Sequence, residues 1–192
     1  MANENELILV DIFDQPIGTG EKEAVHQKGL LHRAFSVFVC HDGKMLVHRR
    51  NPNKYHSGGL WTNACCSHPR AGKTLEQSVE ERLQEELGVS FPVEELFHFV
   101  YRSVFENGRI EYEFDHVFIA DYAGDFAPDP EEIAELKWID FEELKEDLTH
   151  HPELYSVWFQ IAAPRVLEMQ KTPEGAKEET GHPGCKKETA EK

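Results

Sequence analysis

This 192-residue sequence is poor in several things at once. Its four cysteines (Cys40, Cys65, Cys66 and Cys185) include no CxxC pair. They are too few and too irregular for a disulfide framework, and adjacent Cys65 and Cys66 could bridge only under strain, so the thiols are read as reduced. No apolar run approaches the roughly 18 residues of a membrane span, and "MANENELILVDIFDQ" has neither the basic nor the apolar region of a secretory leader. A cytoplasmic protein without membrane partners is expected. Basic residues are outnumbered 20 to 36, giving a net charge of −16, a surface that disfavours nucleic acid. Internal repeats are lacking, and large apolar residues stop at Met169. The segment 171–192, with five lysines and five glutamates, reads as a disordered polar tail, which leaves the whole excess charge on a single domain over 1–170.

What is present is strand-rich. "ELILVD" reads as a short strand, and "LHRAFSVFVC" and "KMLVHRR" flank an Asp42-Gly43 hairpin turn. A second hairpin turns at Asn107-Gly108. Between them, "TLEQSVEERLQEELG" predicts a helix: Thr74 and Gln77 form a capping box, Leu75, Val79, Leu83 and Leu87 make a stripe, and Gly88 ends it. A strand "ELKWI" follows, then a helix with Asp140 and Glu143 as its capping box, and a last helix over 152–169 interrupted or kinked at Pro164. The class is α+β with a mixed or mainly antiparallel sheet.

Three constellations could carry chemistry. In "WTNACCSHPR", read as extended, Cys66 and His68 share a face while Cys65 takes the other; a buried thiol near a polar loop, zinc ligation and an activated thiolate all fit. In "RIEYEFDH", Glu111, Glu113 and Asp115 point to one side, as a solvated face or as carboxylates sharing a cation, and His26, His32 and His68 could complete a zinc, manganese or iron(II) donor set. In "KMLVHRRNPNKYH", Lys44, Arg49, Arg50 and Lys54 stand without an acid, as a basic strand edge or as the address of a small anion. Glu86, off the leucine stripe, is placed to hold Mg2+ against a diphosphate.

Taken together, "LHRAFSVFV", "KYHSGGLWTNACCSHPRAG", "EELG" and "EYEFDHVF" closely resemble the type I isopentenyl-diphosphate Δ-isomerase family of the Nudix superfamily, over about residues 6–160. The resemblance implies a Nudix-type α/β/α sandwich with N-terminal additions and an enzyme of isoprenoid biosynthesis, a monomer or weak dimer acting on a small diphosphate. It implies a cage of His26, His32, His68, Glu111 and Glu113 around one Mn2+, Zn2+ or Mg2+, and a second ion, Mg2+, between the diphosphate, Glu86 and the Cys66 carbonyl. Cys66 and Glu113 become the catalytic pair, with Glu113 as proton donor and Cys66 as thiolate base. Lys22, Arg50, Lys54, Ser67 and Arg82 are implied to hold the diphosphate, although Ser67 departs from the glycine of some members. Tyr101 and Trp158 supply the pocket aromatics.

The alternative within the same scaffold is a Nudix hydrolase of a nucleoside-diphosphate or CoA substrate. Its GX5EX7REUXEEXGU signature, aligned on "EELGV", puts Ser67 at the leading Gly, Lys73 at the first Glu, and Glu81-Arg82 at the Arg-Glu pair; only Leu83, Glu85, Glu86, Gly88 and Val89 match.

Overall fold

The computed structural model describes residues 5–54 and 56–170; the expected polar tail lies outside them. In chain order the elements are β1 (Glu6–Val10), β2 (Pro16–Glu21), α1 (Lys22–Lys28), β3 (His32–His41), β4 (Lys44–Arg50), β5 (Trp61–Thr62), β6 (Cys65–Ser67), α2 (Leu75–Leu87), β7 (Glu94–Val104), β8 (Ile110–Asp121), β9 (Ile133–Asp140), α3 (Phe141–His150) and α4 (Val157–Gln170). All strands join one mixed sheet centred on β3, which runs antiparallel to β1, β4 and β6 and parallel to β8.

Period-two alternation sorts the core into two layers. Phe35, Val37 and Val39 of β3 pack with Val79, Leu83 and Leu87 of α2 on one face, while Phe38 and Cys40 meet Trp158, Phe159, Ala162 and Val166 of α4 on the other. Each buried leucine of that α2 stripe contributes ~1.5–3 kcal/mol. The same alternation aims the site: Glu111, Glu113 and Asp115 share a face of β8 with Val117, and the parallel register sets His32 beside Glu113 and Ala34 beside Asp115.

The capping box of Thr74 and Gln77 forms in both directions, and Gly88 ends α2 in the left-handed region at φ 68°. Asp42 and Gly43, at φ 47° and 75°, give the tight turn that matches strand twist. Two boundary readings need correction. Asp140 makes no side-chain cap bond to α3, so the second capping box is absent, although Glu142 and Glu143 still favour the positive end of that helix. The last helix starts at Val157, not 152, because Ser156 N–H donates to Trp61 O and Tyr155 bridges Trp61, holding 155–156 extended after a 3-10 turn at Pro152–Leu154. Pro164 lies inside α4 without interrupting it; the apolar face packed on the sheet outweighs one missing N–H donor. Helix α1 and strand β2 had no sequence signal, being short, exposed or glycine-rich.

His48 of β4 is fully buried, its Nδ1 3.2 Å from Ala64 O. Burial, reinforced by the Arg50 charge, pushes its pKa down from 6.5 to about 3. The unfolded chain therefore takes up a proton near 6.5 that the native chain refuses. Stability from this group is complete above that pH and is lost as pH falls towards 3, with a slope of up to ~1.4 kcal/mol per unit. Urea unfolding between pH 7.5 and 5 should show a shallower pH dependence, by about one proton, for His48→Gln than for the parent; equal slopes would count against this account.

Candidate active site

The site is assembled at one end of the β3–β8 pair. Helix α1 supplies His26 and ends at Gly29, whose φ of 61° is left-handed and whose Cβ would come within 2.9 Å of Ile110, the residue before Glu111; only glycine turns the chain this tightly against β8. His32 opens β3, and His68 follows β6. The ring centroids of His26, His32 and His68 lie 5.0–5.6 Å apart, and donor atoms of these three and Glu111 fall within 4.8 Å of one another. Glu113 Oε1 joins them, 2.8 Å from His68 Nε2 and 3.7 Å from His32 Nε2.

The chemistry of this donor set fits a divalent cation. His26 Nδ1 lies 2.6 Å from Lys22 O and His32 Nδ1 lies 2.9 Å from Leu30 O, so each ring donates outward and turns the Nε2 lone pair inward, as metal-bound histidines do. Inward they meet other acceptors: His26 Nε2 is 3.0 Å from Glu111 Oε2, and His32 and His68 Nε2 are 3.2 Å apart. Such convergence requires a cation or extra protons.

Protonation follows from burial and charge. For Glu113, burial and the Glu111 charge push the pKa up, yet the adjacent His32 and His68 imidazoles outweigh them and pull it down to about 2. Burial pushes the Cys66 thiol up to about 12, although the Arg50 guanidinium pulls it down. Burial thus opposes the expected thiolate at Cys66, while the histidines favour a carboxylate at Glu113. Burial first, helped by the Lys22 and His32 charges, pushes His68 down to about 4 against the pull of Glu113. Asp115, the third carboxylate of the strand, stands apart: its Oδ2 accepts from Ser36 Oγ at 2.9 Å, its Oδ1 has no protein partner among the described residues, and burial first, then Glu113, push its pKa well up.

A cavity of about 250 Å3 opens beside the cage, lined by Lys22, Arg50, Lys54, Cys66, Ser67, His68, Arg82, Glu86, Tyr101, Glu111, Glu113 and Trp158 among others. Every site residue that the family resemblance implied lines this cavity except His26 and His32, which close the cage behind it. Tyr101 O–H donates to Glu113 Oε2 at 2.6 Å. Trp158 is held from below, its Nε1 donating to Asn63 Oδ1 at 3.2 Å, while Asn63 Nδ2 donates to the Cys65 main-chain oxygen at 2.6 Å, so Asn63 ties the indole to the strand that carries the cysteines. Arg50 sits 5.3 Å from the Trp158 ring centre. The Nε atoms of Arg50 and Arg82 are buried without a protein acceptor among the described residues, a donor set suited to phosphate oxygens. Of the basic cluster, Lys44 is exposed and Arg49 pairs with Glu135 at 3.1 Å, so only Arg50 and Lys54 face the cavity. Arg82 pairs with buried Glu86, and Lys54 with Glu132.

His56 was missed by the sequence reading. Its Nε2 is 2.8 Å from Glu111 Oε1, the oxygen opposite the one nearest His26. Its ring stacks on Phe105 at 4.7 Å and meets Trp158 edge-on at 5.9 Å. The signal was an imidazole two residues after Lys54, inside a stretch read only for its cations.

The comparisons agree with this geometry. A NUDIX domain model matches residues 30–159. The chain is 46% identical to "Isopentenyl-diphosphate Delta-isomerase" of Burkholderia multivorans over 85% of this chain and 93% of that one, and 44% identical to "Isopentenyl-diphosphate Delta-isomerase 2" of Photorhabdus laumondii over 80% and 88%. A solved structure, DR0079 from Deinococcus radiodurans, superposes with a TM-score of 0.69 over 83% of this chain and 98% of that one at 20% identity, a likeness of fold. With its mixed sheet between α2 and α4 and its cage beside a half-buried cysteine, the chain belongs to the isopentenyl-diphosphate Delta-isomerase family of NUDIX-domain proteins.

Proposed function

We propose that this protein interconverts isopentenyl diphosphate and dimethylallyl diphosphate. The observation that carries the reading is the shared cavity: Cys66 and Glu113 line the same small space as Lys22, Arg50, Lys54 and Arg82. Moving the double bond from the 3,4 to the 2,3 position adds a proton to one terminal carbon and removes one from C2 through a tertiary carbocation. The formula is unchanged, and neither water nor an oxidant takes part. One group must give a proton and another accept one; Cys66 and Glu113 are suited to this, and exchange roles in the reverse direction.

His26, His32, His68, Glu111 and Glu113 would hold a Mn2+, Zn2+ or Mg2+ ion that draws electron density from the Glu113 carboxylate, and Glu86 a Mg2+ ion that accompanies the diphosphate. Tyr101 orients Glu113 through its hydrogen bond. His56 fixes the rotamer of Glu111 from outside the cage. The Trp158 ring offers an electron-rich face to a developing cation, worth up to ~2 kcal/mol or more in a desolvated pocket, and its bulk helps to exclude the water that would trap that cation.

Hydrolysis is the weaker reading. Of the signature carboxylates on α2, Glu85 is engaged by Arg70 and Arg82 at 2.8 Å each, and Glu86 by Arg82, while Lys73, in place of the first glutamate, pairs with Glu81. That arrangement lacks the several free carboxylates needed to gather the metal ions of pyrophosphate cleavage. Isopentenyl diphosphate and nucleoside diphosphates with direct colorimetric phosphate detection, and ADP-ribose with a phosphatase chase of its products, should show no appreciable cleavage of any of them. Metal-dependent nucleotide cleavage without isomerisation would favour the hydrolase.

A further inference from the structure

On the far side of β8 from the cage, His116, His98 and Glu95 converge. In a regular strand Glu95 and His98, three residues apart, would face opposite ways. A β-bulge at Leu96 changes this: Glu95 pairs with Phe118 and His98 with His116, two residues apart on β8, so both side chains share one face. Bulges re-aim side chains in this manner. The result is a ligand-like set, with one donor atom from each of Glu95, His98 and His116 within 4.8 Å of one another.

The supports are as organised as the donors. His116 Nδ1 is 2.7 Å from Glu95 Oε1, and its Nε2 is 3.1 Å from Asp14 Oδ2. Asp14 is itself pinned, taking 2.7 Å hydrogen bonds from Arg33 Nε on Oδ1 and from Arg33 Nη2 on its backbone oxygen, with its backbone in the left-handed region at φ 61°. A carboxylate on the outward nitrogen of a ligating imidazole is the usual outer support of a metal site. The His98 ring stacks on Phe114 at 4.9 Å, which limits its motion, while His98 and Glu95 remain half exposed and accessible to an ion.

We propose that Glu95, His98 and His116 form a second, surface metal site for a borderline transition ion of the Zn2+ class, separate from the cage and independent of the activity proposed above. Two imidazoles and one carboxylate suit Zn2+ and leave at least one coordination position to water. On binding, His116 Nδ1 exchanges its bond to Glu95 for the metal, and its Nε2–H donates to Asp14. Such an ion would tie β7 to β8 at the bulge.

Zn2+ titration against a chromogenic chelator, followed by dialysis and elemental analysis, tests this in the full chain and in a Glu111→Gln background with a weakened cage. The expected result is one extra equivalent of Zn2+ in both backgrounds, at least ~10-fold weaker after His98→Ala or Glu95→Gln, together with a Zn2+-dependent rise in Tm that in these half-exposed variants falls to the cage's share alone. Co2+ should give the visible absorption of a low-coordinate nitrogen–oxygen site only while His98 is present. Identical stoichiometry, affinity and Tm response in parent and His98→Ala would show that the cluster is a structural hydrogen-bond network and overturn the proposal.

Discussion

Cys66→Ala is expected to reduce isomerisation by at least ~10²–10⁴-fold, the contribution of a positioned proton-transfer group, while leaving one cage ion per chain. The thiol lines the substrate cavity, and its described polar neighbour is Arg50 Nη1 at 3.9 Å, not a cage histidine. Removing one sulfur from the cavity wall takes no donor from the His/Glu set. Glu113→Gln should be as damaging for a different reason, since the amide can neither give nor take the proton and also binds a cation poorly. Turnover under saturating substrate, with metal content measured on the same sample, separates the two. Loss of the cage ion in Cys66→Ala would contradict the assignment of the thiol to carbon chemistry.

The second large effect is expected at the cage. His32 is fully buried, and its Nε2 lies within 3.2–3.7 Å of His68, Glu111 and Glu113. His32→Ala should lower both cage-metal affinity and activity by more than the ~10–100-fold expected for His56→Ala, which disturbs only the outer support of Glu111. Added Mn2+ should restore part of the His56→Ala activity and less of the His32→Ala activity. Metal retained after dialysis and activity against metal concentration report the two quantities. Full activity of His32→Ala with an empty cage would refute the idea that a bound cation acts on Glu113.

Much of this was legible in the chain because local chemistry and tertiary structure agree there. The α2 capping box and leucine stripe, the Asp42-Gly43 turn and the alternation of β3 and β8 are local signals, and each appears where the residues indicate. The cage was legible only through spaced blocks, since His26, His32, His68 and the β8 carboxylates come together by strand register and by the turn at Gly29, which no periodicity encodes. The late start of α4 depended on competition from Trp61, distant in sequence. Burial of Cys66, which opposes a thiolate there, is a tertiary property that the sequence does not display. His56 and the bulge at Leu96 were missed for the same reason: one acts across 55 residues on Glu111, and the other is defined only by its partner strand.

The central claim is that Cys66 and Glu113 move protons on carbon while the diphosphate stays intact. Proton and phosphorus NMR of the metal-loaded protein with isopentenyl diphosphate in D2O tests this most directly. The account predicts dimethylallyl diphosphate, deuterium entering the carbon skeleton during turnover, unchanged diphosphate resonances, and none of the carbon changes with Cys66→Ala. Release of phosphate without a shift of the double bond, or isomerisation that persists undiminished in Cys66→Ala, would contradict it.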